Sequence, residues 1–186
     1  MGEKQRKHKS FAGQVLAATP TLIDPNFAHT LVYLVKHDAE GAFGLVMNKP
    51  TGKKISEAVA SPDLPDELDQ LPLYFGGPVH TDSLLMAVFE YHPARNEVTC
   101  KLEMNFEQLA AYLKSKNAWV RSFIGCSGWG KGQLEQELEG NYWKVCATDP
   151  LIFEEKYSNK IWSVFFQGVE DWRDMLPFLP EHPEWN

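Results

Sequence analysis

The sequence predicts a single α+β domain. Three observations carry this: compact β-branched runs fill the first half, helical periodicity is confined to the second, and strands are interspersed with those helices. The order is mixed and lacks the regular alternation of a βαβ fold. At 186 residues with 44% hydrophobic content, the chain can bury one good core without needing a second.

The first strand signal is "TLVYLVKH" (30–37), a short apolar, β-branched run. "DAEG" then supplies a hairpin turn into "GAFGLVMNKP". "SPDLPDELDQLP" (61–72) reads as a loop inside the domain. "SLLMAVFEY" (83–91) is a further strand. "NEVTCKLEM" alternates, placing Val98, Cys100, Leu102 and Met104 on one face, so Cys100 reads as a small core residue. "NFEQLAAYLKSK" repeats Phe106, Leu109, Ala110 and Leu113 at helical spacing, with Asn105 as cap and Gln108 completing a capping box. "AWVRSFIG" is a strand running into a glycine-rich loop. Leu134 and Leu138 lie four apart on a helix that Gly140 ends. "YWKVCATD" is another strand. "SNKIWSVFFQG" is helical between a Ser158 cap and a Gly168 stop, pairing Ile161 with Phe165 and Trp162 with Phe166.

The formal charge of −7 is unevenly spread. Residues 1–10 form a basic, flexible tail, and residues 11–186 a single domain. Without Lys4, Arg6, Lys7, Lys9 and Glu3, the remainder holds 14 basic and 24 acidic residues. Such a surface repels phosphate backbones, so direct DNA binding is disfavoured. No run of 18 apolar residues is present to span a membrane, and Thr19-Pro20 breaks the only stretch resembling a signal peptide. Cys100, Cys126 and Cys146 match neither a disulfide framework nor a zinc site and suit a reducing cytoplasm.

The stretch "GCSGWGKG" from Gly125 fits the phosphate-loop pattern G-x-x-x-x-G-K until its last letter. There Gly132 has no hydroxyl for magnesium. Trp129 puts an indole where backbone must curl around phosphates, and Glu135 and Glu137 occupy the helix-entry field that an anion would use. A nucleophile elbow is excluded too, because Trp129 stands where G-x-S-x-G needs glycine.

"RSFIGCSGWGKGQLEQEL" instead resembles the signature of the AlgH/YqgE family, a strand entering a helix through G-W-x-x-G-Q-L-E. "GQVLAATPTLIDPNFAHTLVYLVKHDAEGAFGLVMNKP", "LYFGGPV" and the closing region from "LIFEEKYSNKIWSVFFQGV" to Asn186 agree in order, so the resemblance covers roughly residues 11–186. Cys126 departs from it, where the family often carries an aromatic residue. The resemblance implies a mixed, branched sheet curled into a pseudo-barrel with flanking helices. It also implies a role in transcription regulation, with no cofactor, reaction or catalytic residue to carry over.

Other constellations are weak. The six histidines have no helical metal spacing and read as surface residues, although His37 and His80 could rim a pocket. Asp63, Asp66, Glu67 and Asp69 read as a solvated acidic loop, lacking the alternation and glycine of a calcium site. No recognition helix or basic stripe supports a helix-turn-helix. What remains are polar and glycine positions at turns: Asn48, Lys49, Gly76, Gly77, Ser127, Gly128, Trp129, Gly130, Gln133 and Glu135. The glycines read as turn formers, whereas for Trp129, Asn48 and Gln133 shaping the fold and meeting a ligand stand level. Two functions follow. One is a non-enzymatic, cytoplasmic regulatory or protein-binding domain with a protein partner of unknown identity. The alternative is a small hydrolase or nucleotide-binding enzyme using the loop at 125–132.

Overall fold

The computed structural model describes residues 9–58 and 64–167. Among the described residues, nine strands form one sheet: β1 (Val15–Ala18), β2 (Leu31–Asp38), β3 (Gly41–Val46), β4 (Pro50–Lys54), β5 (Pro72–Phe75), β6 (Val79–His92), β7 (Glu97–Lys101), β8 (Ala118–Trp129) and β9 (Trp143–Cys146). The helices are short: α1 (Ile55–Ala58), α2 (Asp66–Asp69), α3 (Phe106–Tyr112), α4 (Gln133–Glu139) and α5 (Ile161–Gln167). The strand order β4-β5-β8-β3-β2-β1-β9, with β6 branching from β8 and carrying β7, gives a curled, branched α+β architecture.

The branch follows from chain connectivity and three glycines. Residues Ser122–Ile124 of β8 pair in parallel with β5 and antiparallel with β6, so these two strands occupy opposite edges of β8. Only Gly76, Gly77 and Pro78 join them, and the chain must cross β8 directly. A Cβ on Gly76 would overlap the Gly125 carbonyl, one on Gly77 the Cys126 carbonyl, and one on Gly125 the Gly77 carbonyl. Gly76 also holds the fork. Its N–H donates to Ile124 O (2.9 Å), and its carbonyl accepts the Val46 N–H (2.9 Å) and the Ser127 hydroxyl (3.0 Å).

Gly125, at φ +71°, also breaks the side-chain alternation of β8. Phe123 and Cys126 consequently both face the main core, which includes Tyr33, Leu45, Tyr74, Phe89, Phe153 and Trp162. Trp129 turns to the opposite face and packs with Leu16, Leu34, Leu134 and Trp143. A third cluster, around Leu68, Val88, Leu109 and Val120, lies beneath α2 and α3.

Several expectations hold. The 38–41 hairpin joins β2 and β3, and the Asn105–Gln108 capping box forms. Gly140 caps the end of α4, and Trp162 stacks on Phe166 at 5.3 Å. Others need correction. The segment expected as a loop over 61–72 contains α2, because Leu68 is fully buried; Asp63 of the acidic group lies outside the described residues. The alternation of 96–104 stops at Lys101, since Glu103 adopts φ +58° and diverts Met104 into the third cluster. The apolar stripe of α3 is only partly covered, with Phe106 and Leu113 exposed. Ser158 does not cap α5: it is buried at the end of a 3₁₀ turn (Glu155–Tyr157), two residues short of the helix. Gly168 lies outside the described residues.

Candidate functional site

The signature stretch is strand where a loop was expected. β8 runs through Gly125 to Trp129, and Ser127–Trp129 are laddered to Gly44–Ala42 of β3. The backbone turns only at 130–132, where Gly132 adopts φ +72° ahead of α4. A segment held in a ladder is not curled around an anion, so the phosphate-loop geometry is not formed here.

Of the two readings left level for the polar side chains of this stretch, the hydrogen bonds within the chain favour shaping the fold. The buried Trp129 indole N–H donates to Glu137 Oε2 at 2.8 Å. Trp143 donates its own indole N–H to the same oxygen at 2.7 Å. Gln133 donates to Glu137 Oε1 (3.0 Å) and accepts the Gly130 N–H (3.0 Å), which fastens the turn to α4. Phe27 completes this aromatic cluster, edge-on to Trp143 at 5.5 Å. Glu137 was not among the expected site residues, although its i, i+4 spacing from Gln133 is visible in the sequence.

The remaining expected residues fall elsewhere. Gly76, Gly77 and Ser127 meet at the crossing. Asn48 accepts the Leu31 N–H (2.8 Å) and donates to His29 O (2.9 Å), satisfying both ends of its buried amide. Lys49 donates to the carbonyls of Pro25 and Asn26 (2.8 and 3.0 Å), and burial pushes its pKa down. These two residues therefore hold the 24–31 loop. Glu135 meets His37, whose Nε2 lies 3.0 Å from Glu135 Oε1 while its Nδ1 accepts the Phe11 N–H. His37 was expected at the surface, but its side chain is wholly buried and stacked on Phe11. His80 is exposed. Gly128 and Gly130 are exposed with ordinary φ, and a Cβ on either would meet no atom closer than 3.8 Å.

Sequence reading also missed Arg121. Its buried guanidinium donates to Met47 O (2.7 Å) and Ile152 O (3.2 Å) and lies 4.2 Å over the Tyr74 ring. Burial pushes its pKa down, and the nearby Tyr74, Glu155 and Glu154 oppose that shift. Burial likewise raises the Cys126 thiol, a poor environment for a thiolate nucleophile. Among the described residues, no three His, Cys, Asp or Glu side chains are grouped to hold a metal ion, and no helix is long and apolar enough to cross a membrane.

Comparison with known proteins agrees with this architecture. The AlgH-like family model matches residues 15–171. The UPF0301 protein AlgH of Pseudomonas aeruginosa is 36% identical over 149 residues, covering 74% of this chain and 77% of that protein. The solution structure of P. aeruginosa AlgH superposes with a TM-score of 0.64 at 30% identity, covering 93% of this chain and 97% of the other. The crystal structure of DIP2367 from Corynebacterium diphtheriae shares the fold, with a TM-score of 0.64 at 21% identity over 94% and 93% of the two chains. With sequence, family model and fold in agreement, the chain belongs to the AlgH-like family.

Proposed function

We propose that this chain is a non-enzymatic, cytoplasmic binding domain that acts on transcription, if at all, through a protein partner. The observation that carries the reading is the internal use of the signature side chains: Ser127, Trp129 and Gln133 all bond within the chain. What the stretch offers outward is bare backbone at Gly128 and Gly130, a surface that another chain can approach closely. The acidic balance of the chain favours a protein over a nucleic acid as the partner.

Gly128→Arg tests this reading, because its side chain projects into open space and leaves the fold intact. The expected result is an unchanged melting temperature with loss of specific proteins from quantitative co-purification against wild type. An identical co-purified set refutes the reading. The nucleotide alternative makes the opposite prediction: stabilisation by millimolar ATP or GTP with magnesium, since a native-state ligand must raise the melting temperature.

A further inference from the structure

The β6–β7 ladder stops before β6 does. It runs from His92 opposite Glu97 to Val88 opposite Lys101, so the next rungs along β6 belong to Met86 and Leu84. The residue due opposite Met86 is Glu103, which adopts φ +58° and lies outside the strand. There the chain leaves the sheet and carries Met104 into the third cluster. No backbone hydrogen bond joins Glu103 to Met86.

The ladder on the other side fixes where the backbone groups of these rungs point. The Tyr91 N–H donates to Asn117 O at 2.8 Å, so Tyr91 turns its backbone groups toward β8. By alternation Phe89, Ala87 and Leu85 do the same, opposite Trp119, Arg121 and Phe123. Glu90, Val88, Met86 and Leu84 must turn theirs to the other edge. β7 takes up Glu90 and Val88. β6 pairs with no strand besides β7 and β8, and no turn or loop residue among the described ones bonds to the backbone of Leu84 or Met86. Both residues are only half-buried. Two N–H and two carbonyl groups therefore stand open along this edge.

Their spacing and the charge around them describe an occupant. Donor–acceptor pairs two residues apart, about 7 Å along a strand, match alternate residues of another extended chain. From Ser83 to Val88 the edge carries neither proline nor charge, the usual blocks to strand addition. Asp82 beyond one end and Glu103 at the other are exposed, and neither is ion-paired among the described residues. We propose that the open edge of β6 at Leu84 and Met86 binds an extended peptide with basic side chains, as an added strand. A second copy of the chain fits less well. Antiparallel self-pairing would bring Asp82 of each copy toward the Glu103 end of the other, where Lys101 is already held by Glu90. This edge does not include Gly128, so the inference stands apart from the binding proposed for the signature stretch.

The test is an NMR titration of the ¹⁵N-labelled full chain with the capped peptide acetyl-Lys-Val-Thr-Val-Thr-Val-Lys-amide. Its controls are the same peptide with Glu for Lys and a backbone N-methylated version. In the free chain the Leu84 and Met86 amides should exchange faster than those of Leu85 and Ala87. The basic peptide should shift Leu84 and Met86 saturably and slow their exchange. The acidic peptide should bind about tenfold more weakly, and the N-methylated one should not bind. Asp82→Asn with Glu103→Asn should erase the preference for basic over acidic peptide, since asparagine tolerates the left-handed turn. The proposal is overturned if the basic peptide does not saturate these two amides, if the acidic or N-methylated peptide binds as tightly, or if the double variant keeps the preference. Free Leu84 and Met86 amides that exchange as slowly as Leu85 would show a closed edge. Shifts at these amides that grow with protein concentration alone would assign the edge to a second copy, and either result also overturns it.

Discussion

Replacing Glu137 with alanine should remove a large share of the stability of this domain. One carboxylate oxygen accepts the indole N–H groups of Trp129 and Trp143, which are 6% and 4% exposed. Each donor left unsatisfied costs about 1–3 kcal/mol, so the pair together loses about 2–6 kcal/mol. Gln133 adds little because its side chain reaches water. Against a typical total of about 5–15 kcal/mol, such a loss is severe. Glu137→Gln keeps one carbonyl oxygen for the two indoles and loses only the charge assistance, so its cost should be near 1–2 kcal/mol. Equilibrium urea unfolding, followed in parallel by tryptophan fluorescence and far-ultraviolet circular dichroism, gives the ranking. Trp129→Phe removes one donor beforehand, so Glu137→Ala should cost less in that background than in wild type. A Glu137→Ala midpoint equal to wild type, or strict additivity with Trp129→Phe, would refute the assignment of Glu137 as their shared acceptor.

Gly76→Ala should lose about 3 kcal/mol or more, because its methyl group overlaps the Gly125 carbonyl, whereas Gly128→Ala should be neutral or stabilise by up to about 1 kcal/mol; thermal unfolding of both variants checks the contrast. The Cys100 thiol is pushed up to about 12 by burial, so native protein should resist alkylation there at pH 8 while urea-unfolded protein reacts; mass mapping of the labelled cysteine reads the outcome. The same burial makes the unfolded chain release the Cys100 proton first. Its contribution to stability is thus complete below about pH 9 and falls as pH rises toward 12, a slope that Cys100→Ala should flatten in pH-dependent unfolding.

What was legible in the sequence was what short-range chemistry controls. The capping box at Asn105 and Gln108 depends on four consecutive residues, and the β2–β3 hairpin on the four residues 38–41 that close it. The acidic turn of α2 was harder, because a single buried Leu68 between carboxylates carries no periodic signal. β8 was harder still. Gly125 inserts a left-handed residue that breaks the alternation, so a strand continuing to Trp129 looked like a strand ending in a loop. His37 lost its surface appearance only through Phe11 and Glu135, 26 and 98 residues away. No local window contains those partners.

The glycines show why the candidate site in particular resisted reading. One letter serves three physical situations in this chain. Gly76, Gly77 and Gly125 are required by backbone crossing within contact distance. Gly132 is required by its left-handed φ, with open space around it. Gly128 and Gly130 meet neither condition, and Gly128, a strand glycine with no side chain to pack, loses stability relative to alanine by about 0.5–1 kcal/mol. Local sequence does not separate these cases, since all six sit in glycine-rich stretches. The separation reassigns the chemistry of the signature stretch. Its conspicuous polar residues, Ser127, Trp129 and Gln133, build the crossing and the turn, while its least conspicuous positions are the ones left open to solvent. Variants at Trp129 should therefore report on folding, and variants at Gly128 on the binding proposed for this stretch.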